Sequence, residues 1–145
     1  MCIETGEVVL DATTLPIVVA TWAGRADESL VDRYFEELRE LLEALEGRGT
    51  QALMLTLTER AGQPSAVTRH RITEHTLALR DQLERVFFAN AVVVENPLIR
   101  GALTALGWVD PSLRVPYLPD RATARKWAQA QLCLMNCEFP AGALA

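Results

Sequence analysis

The sharpest alternation of apolar and polar positions lies between residues 27 and 49. Apolar side chains recur three or four positions apart, and charged side chains fill the positions between them. This is the stripe of an amphipathic helix. Asp27 offers an acceptor for the free backbone N–H groups at a helix start, and the Gly47-Arg48-Gly49 sequence supplies glycines that can end a helix. The pattern therefore predicts a helix from Asp27 to about Gly47 that buries Leu38 and Leu41.

Five short apolar runs outside this helix predict β-strands. They are brief and rich in β-branched residues, and they cover residues 7–11, 17–22, 52–57, 91–95 and 115–118. Longer stretches with helical spacing and good capping residues separate the later runs. These stretches predict three more helices, over residues 64–86, over 96–107 and from Asp120 to about 135.

The order of these elements, β-β-α-β-α-β-α-β-α, predicts an α/β fold. A short turn over residues 12–16 joins the first two strands, so these strands should pair antiparallel. The later strands alternate with helices, which implies parallel pairing through right-handed crossovers. We expect one mixed five-stranded sheet with an antiparallel first strand and helices packed on the sheet.

Composition limits the domain count, the partners and the compartment. The 145 residues suit one domain, and we expect a flexible start over 1–6, a single domain over 7–135 and a frayed tail over 136–145. A net charge of −5 argues against nucleic acid as a partner, because phosphates require a positive surface. No apolar run approaches the roughly 18 residues that span a bilayer. The N-terminal residues carry no secretory signal, so we expect a cytoplasmic protein.

Residue types that could carry catalysis or bind cofactors occur here without the usual motifs. The sequence has no glycine-rich phosphate loop and no Gly-x-Ser-x-Gly nucleophile motif. His70 and His75 are five positions apart, which is poor spacing for a shared ligand on a helix. Cys133 and Cys137 could share a helix face as packing residues, as a redox pair or as two of the four ligands of a zinc site. We expect a non-catalytic protein without a cofactor or metal.

Several local features, taken with the order of elements, point to a known family. They are Gly24 ahead of the helix that starts at Asp27, the run Ala91–Val94 in the fourth strand, Trp108, and the closing series Asp120, Ala124 and Trp127. Over about residues 7–133 the chain resembles the STAS fold of anti-sigma-factor antagonists, and more closely the SpoIIAA-like (STAS/SEC14-like) family.

This resemblance implies two alternative functions. One is a regulatory protein-interaction module with an unknown protein partner, for which a regulatory kinase or a sigma-factor system is the candidate. The other, of SEC14-like character, is binding of a small apolar ligand or a lipid. Trp22, Trp108 and Trp127 would fill a closed core in the first case and line a pocket in the second. A continuous apolar cavity would favour ligand binding.

The segment after the third strand departs from the family pattern. STAS switch proteins carry an Asp-Ser or Asp-Thr pair there, and a partner kinase phosphorylates its hydroxyl. Residues 55–65 lack this pair. Partners of open α/β sheets bind at the carboxyl ends of the strands, and a helix N-terminus there attracts anions. We therefore expect partner binding at two hydroxyls and two cations, namely Thr58, Arg60, Ser65 and Arg69.

The second helix also raises the question of self-association. Its apolar residues Val67, Ile72 and Leu79 do not lie along one narrow line. Part of this helix could therefore pack against a second copy, and a twofold pair is the simplest closed arrangement. The sequence thus predicts a possible homodimer.

Overall fold

A computed structural model describes residues 6–96, 100–101 and 115–144 of the chain. Within these residues the elements are β1 (Glu7–Thr14), β2 (Ile17–Gly24), α1 (Glu28–Gly47), β3 (Ala52–Ala61), α2 (Ala66–Val86), β4 (Phe87–Val93), β5 (Tyr117–Leu118) and α3 (Arg121–Leu134). Most of the helix predicted over 96–107, together with Trp108, lies outside the described residues, as does most of the start predicted to be flexible.

The strands form one five-stranded sheet in the order β1-β2-β3-β4-β5. β1 pairs antiparallel with β2, whereas β2, β3, β4 and β5 pair parallel with one another. The short connection between β1 and β2 allows only antiparallel pairing, and the crossovers through α1 and α2 produce the parallel pairs of β2 with β3 and of β3 with β4. The mixed sheet with an antiparallel first strand is confirmed.

The two faces of the sheet support two separate apolar cores. Successive residues of a strand point to opposite faces, and in β3 Ala52 and Met54 pack with α1 and α2. Leu53, Leu55 and Leu57 point to the other face and pack with α3. Because both faces are covered, β3 is apolar along most of its length rather than alternating.

Two strands are longer than the sequence pattern predicts. β3 continues through the predicted loop to Ala61, because Arg60 and Ala61 still pair with Ala23 and Gly24 of β2. β4 begins at Phe87 instead of residue 91, directly after α2, and Phe87 pairs with Ala52. The third strand, predicted over residues 52–57, therefore extends four residues further than the sequence pattern indicates.

Capping side chains set the starts of α1, α2 and α3. The Oδ1 atom of Asp27 accepts a hydrogen bond from Leu30 N at 2.8 Å, and that of Asp120 accepts one from Thr123 N at 2.7 Å. α2 begins at Ala66, two residues later than predicted, so Pro64 lies ahead of the helix. The Ser65 hydroxyl is the cap and accepts a hydrogen bond from Thr68 N at 3.2 Å. Each cap satisfies a backbone donor that the helix itself cannot.

The end of the chain folds back onto the α3 face of the sheet. Ala143 is only 2% exposed, and Phe139 and Leu144 pack against the same cluster. The guanidinium of Arg125 lies 4.9 Å from the centre of the Phe139 ring, a favourable cation–π distance. Part of the segment predicted to fray therefore contributes to this second core.

The apolar stripes of α1 and α2 differ in how fully they are buried. Leu38 is 2% exposed and Leu41 is half-buried against the same cluster. In α2, Ile72 and Leu79 pack against this cluster, whereas Val67 is 60% exposed. An exposed valine is common on monomers, so the homodimer stays a prediction.

Replacing Leu38 with alanine tests the assignment of the α1 stripe. We expect Leu38→Ala to lower the free energy of unfolding by about 2–5 kcal/mol, because a buried side chain is removed and space is left behind. Leu134→Ala is the control, since Leu134 is 78% exposed, and it should cost less than about 0.5 kcal/mol. Urea denaturation measures both, and equal midpoints for the two variants would contradict the assignment.

Candidate functional site: a cavity between the sheet and two helices

A cavity of about 240 Å³ lies between the sheet and helices α1 and α2. Its floor is formed by the strands, with Met54 and Thr56 from β3 and Asn90 and Val92 from β4. The helices form its walls and roof, and Tyr117 of β5 closes one side. The space thus lies on the α1–α2 face of the sheet and is partly open to solvent.

Most of the cavity lining is apolar or aromatic. The larger side chains of this kind are Trp22, Tyr34, Phe35, Leu38, Met54, Ile72, Leu83, Val92, Val115 and Tyr117. The rings of Trp22 and Tyr34 meet edge to face with centres 4.7 Å apart, an arrangement that aromatic quadrupoles favour. This contact gives the cavity a wall whose shape is fixed by packing.

Three of the polar side chains that line the cavity are hydrogen-bonded to backbone carbonyls. The hydroxyl of Thr58 donates to Val93 O at 2.7 Å, that of Thr73 to Arg69 O at 3.1 Å, and that of Thr76 to Ile72 O at 2.8 Å. Burial raises the pKa of the Tyr34 hydroxyl well above its usual value, so this group is a neutral donor. The described lining residues include no Asp, Glu, Lys, Arg or His.

Two loops at the carboxyl ends of β2 and β3 lie against the cavity. Gly62 N donates to Gly24 O at 2.8 Å and so joins the two loops. Gly24 has φ +68°, a conformation that glycine adopts without the steric cost of a side chain. Both glycines line the cavity, together with Ala26 and Pro64. The carboxyl edge of the sheet therefore forms one end of the cavity.

Helices α1 and α2 are linked beside the cavity by a charged cluster that comprises Glu28, Asp32, Arg71 and His75. Arg71 donates from Nε and Nη2 to the two carboxylate oxygens of Asp32, at 2.8 and 2.7 Å. His75 Nε2 lies 2.7 Å from Asp32 Oδ1, and Arg71 Nη1 lies 3.3 Å from Glu28. The hydrogen bonds from Arg71 and then from His75 hold the pKa of the Asp32 carboxyl well below its usual range.

The charged cluster contacts the cavity wall through one aromatic ring. Phe35, which lines the cavity, stacks on the imidazole of His75 with centres 4.8 Å apart and planes 10° apart. The position of this ring therefore depends on the cluster that joins the helices. At the other end of the helices, Arg85 Nε donates to Glu46 at 2.7 Å.

Comparison with known proteins relates this architecture to a solved fold. No protein-family model and no curated protein matches the sequence. Among solved structures, an uncharacterised protein of the DUF3478 family from Shewanella loihica PV-4, described as having a SpoIIAA-like fold, superposes with a TM-score of 0.55. The match is 17% identical in sequence and covers 85% of this chain and 93% of that one. The chain has a SpoIIAA-like fold.

The SpoIIAA-like fold places the four predicted site residues in different settings. Thr58 is buried in β3 and lines the cavity, with its hydroxyl bonded to Val93 O. Arg60 is exposed near the end of β3. Ser65 caps α2, and Arg69 lies one turn further along that helix, with its N–H donating to Ser65 O at 2.9 Å. Thr58 thus belongs to the interior, and the other three lie nearer the surface at the β3–α2 connection.

The cavity residues that sequence reasoning missed look like ordinary core residues in a one-dimensional pattern. Tyr34, Phe35 and Leu38 belong to the stripe of α1, which any covering helix would show. A usable signal exists in the strands, where Thr56 stands between two leucines and Asn90 between two alanines. A polar residue on the covered face of a buried strand needs a partner or a function.

Two further sequence expectations concern metal ions and membranes. Within residues 6–96, 100–101 and 115–144, no group of three or more His, Cys, Asp or Glu side chains is arranged to hold a metal ion. Cys133 and Cys137 are both exposed. None of the helices in these same ranges is long and apolar enough to cross a membrane.

The low pKa of Asp32 leads to a prediction about acid stability. A carboxyl whose pKa is lower in the folded state stabilises the protein above the unfolded pKa of about 3.9 and loses this effect as the pH falls. We therefore expect Asp32→Asn to be less stable than the wild type at pH 7, with a difference that shrinks below about pH 4. Urea denaturation at several pH values measures this difference.

Asp81→Asn is the matched control, because Asp81 is exposed and its nearest cation, Arg80, is 3.8 Å away. It should change stability little at any pH. A difference between Asp32→Asn and the wild type that stays constant from acid to neutral pH would contradict the coupling of Asp32 to Arg71 and His75.

Proposed function

We propose that this protein is a non-catalytic binder of a small apolar molecule, which occupies the cavity between the sheet and helices α1 and α2. The observation that supports this function best is the cavity itself, about 240 Å³ with mostly apolar walls. Small-molecule sites are typically concave and apolar with a few polar groups. The location at the carboxyl ends of parallel strands is also typical of ligand sites in α/β proteins.

The cavity volume limits the part of a ligand that the cavity can enclose. A protein cavity of about 150 Å³ accepts benzene, so by proportion 240 Å³ accommodates about ten non-hydrogen atoms. A whole diacyl lipid is several times larger. Of the two ligand classes implied by SEC14-like character, the volume favours the small apolar molecule.

A cavity-filling substitution tests this proposal with propylbenzene as the probe. In the wild type, propylbenzene at about 100 times its Kd should raise the melting temperature by roughly 5–10 °C, because it binds only the folded state. Val92→Phe should abolish most of this rise, since Val92 lines the cavity floor and a larger ring takes up the space.

Val9→Phe is the matched control for Val92→Phe. Val9 is an exposed strand residue away from the cavity lining, so this variant should keep the full response to propylbenzene. Differential scanning calorimetry measures all three proteins. A wild type that shows no shift, or a Val92→Phe variant that shifts as much as the control, would contradict binding in this cavity.

The SpoIIAA-like fold supports a second candidate function, a cytoplasmic regulatory module that binds a protein partner. Arg60 is exposed, and Ser65 and Arg69 lie close by in the first turn of α2. A regulatory kinase or a component of a sigma-factor system is the candidate partner under this function. Since Thr58 is buried, its contribution would be to shape the strand beneath this surface rather than to contact the partner.

Charge changes at the start of α2 test the second candidate. Ser65→Asp and Arg69→Glu should each weaken partner capture in a pull-down from the native cells, while the melting temperature stays close to that of the wild type. An aspartate is itself a good helix cap, so Ser65→Asp keeps the fold. Arg48→Glu, at an exposed site beyond α1, is the control. Full retention of every partner by both variants would exclude this surface.

A further inference from the structure

Three polar groups of the cavity lack the hydrogen bonds that their neighbours make. They are the hydroxyls of Tyr34 and Thr56 and the side-chain amide of Asn90, all of which line the cavity. Within the part of the chain that the structure describes, no protein group hydrogen-bonds any of the three, in contrast to Thr58, Thr73 and Thr76.

Burial makes the Tyr34 hydroxyl the most informative of these groups. Tyr34 is only 5% exposed. Among the described residues, every fully buried side-chain nitrogen or oxygen has a hydrogen-bond partner, whereas the Tyr34 hydroxyl has none. The Tyr34 hydroxyl must therefore border open space, and the cavity that Tyr34 lines provides it. Because the cavity is partly open to solvent, water can reach this hydroxyl in the free protein, and a ligand that displaces the water must replace its hydrogen bond.

The two strand residues present their polar groups on the same floor. Asn90 of β4 pairs with Met54 of β3, and Thr56 is the next β3 residue on that face. Met54, Thr56 and Asn90 all line the cavity, and Tyr34 reaches it from α1 above the sheet. A donor hydroxyl, a second hydroxyl and an amide therefore face one space from two sides.

The charge distribution of the lining favours a neutral head group over an ionised one. The described lining contains no charged side chain. Of the charged groups beside it, Arg71 and His75 bond to Asp32. Arg80 and Glu84 line an adjoining pocket next to Asn90, and Arg80 lies 3.8 Å from Asp81. His75 is separated from the cavity by the ring of Phe35 that stacks on it. An ionised carboxylate or phosphate would lose its hydration without gaining a counter-charge, which is far costlier than burying a neutral polar group.

We infer that the ligand is an uncharged amphipathic molecule of about ten non-hydrogen atoms, whose hydroxyl or amide group hydrogen-bonds Tyr34, Thr56 and Asn90. Its apolar body packs on the aromatic and aliphatic walls. This inference rests on the proposed ligand-binding function and adds to it the chemical class of the ligand. It also assigns specificity to three residues that the sequence pattern presents as core.

Three probes of similar size and different polarity test the ligand class. They are para-propylphenol, propylbenzene and para-propylbenzoate, compared by isothermal titration calorimetry near neutral pH. The phenol is neutral and polar, the hydrocarbon lacks a hydrogen-bonding group, and the benzoate is ionised. We expect the phenol to bind most tightly and the benzoate most weakly.

Variants that remove one polar group test the assigned residues. Tyr34→Phe and Asn90→Leu should each weaken binding of the phenol by roughly 2–10-fold, the effect of losing one neutral hydrogen bond, and should leave propylbenzene affinity unchanged or higher. Thr56→Val should behave in the same way. Thr21→Val is its matched control, because Thr21 lies on β2 outside the described cavity lining and should not affect either probe.

Each outcome separates the ligand class from the proposed function. Three results would overturn the neutral amphipathic class and leave the apolar cavity function standing. They are equal binding of propylbenzene and the phenol, tightest binding of the benzoate, and unchanged phenol affinity in all three variants. Failure of all three probes to bind the folded wild type would overturn both.

Discussion

Helices α1 and α2 lie side by side on one face of the sheet, and ion pairs at both of their ends keep them together. Asp32 receives two hydrogen bonds from Arg71 at one end, and Glu46 receives one from Arg85 at the other. A single exposed pair contributes little, but a two-point connection fixes the helices relative to each other. α1 connects β2 to β3, and α2 connects β3 to β4. Right-handed connections between successive parallel strands place both helices on the same face of the sheet, where they run parallel to each other.

The cavity follows from the side chains that this arrangement brings together. Where large aliphatic residues would fill the layer, Thr56, Thr73 and Thr76 line it instead. This layer leaves about 240 Å³ between its side chains, partly open to solvent. On the opposite face, Leu53 and Leu55 pack with the small residues of α3, Ala124 and Ala128. The threonines and the open space on the α1–α2 face are the main reason to assign a function to the cavity.

Electrostatics divide the α1–α2 layer into an ionic outer part and a neutral inner part. The charged residues that link the helices bond to one another, and the interior presents hydroxyls and an amide. His75 belongs to both parts, since it contacts Asp32 through its ring nitrogen and Phe35 through its ring face. A ligand in the cavity would therefore be coupled to the Asp32–His75 contact between the helices through the position of the Phe35 ring.

Much of the fold could be predicted from the sequence, because it depends on local signals. Neighbouring residues determine the apolar stripe of α1, the helix caps Asp27 and Asp120, and the short turn between the first two strands. The ends of β3 and β4 could not be predicted, since pairing with β2 and β3 extends them. The cavity could not be predicted either, because Tyr34, Thr56 and Asn90 are far apart in the sequence and line one space only in the folded chain. Thr58 was predicted to follow the third strand, but it lies inside β3, which continues to Ala61, and its hydroxyl bonds to Val93 of the neighbouring strand.

The most direct test of the cavity function is an NMR measurement of contacts between a bound small molecule and assigned methyl groups. With propylbenzene added, intermolecular nuclear Overhauser effects should connect the probe to the methyl groups of Leu38, Ile72 and Val92, which line the cavity. The methyl groups of Leu53 and Leu132, in the core on the other face, should show none. Contacts confined to surface methyl groups, or equal contacts to both cores, would contradict the account.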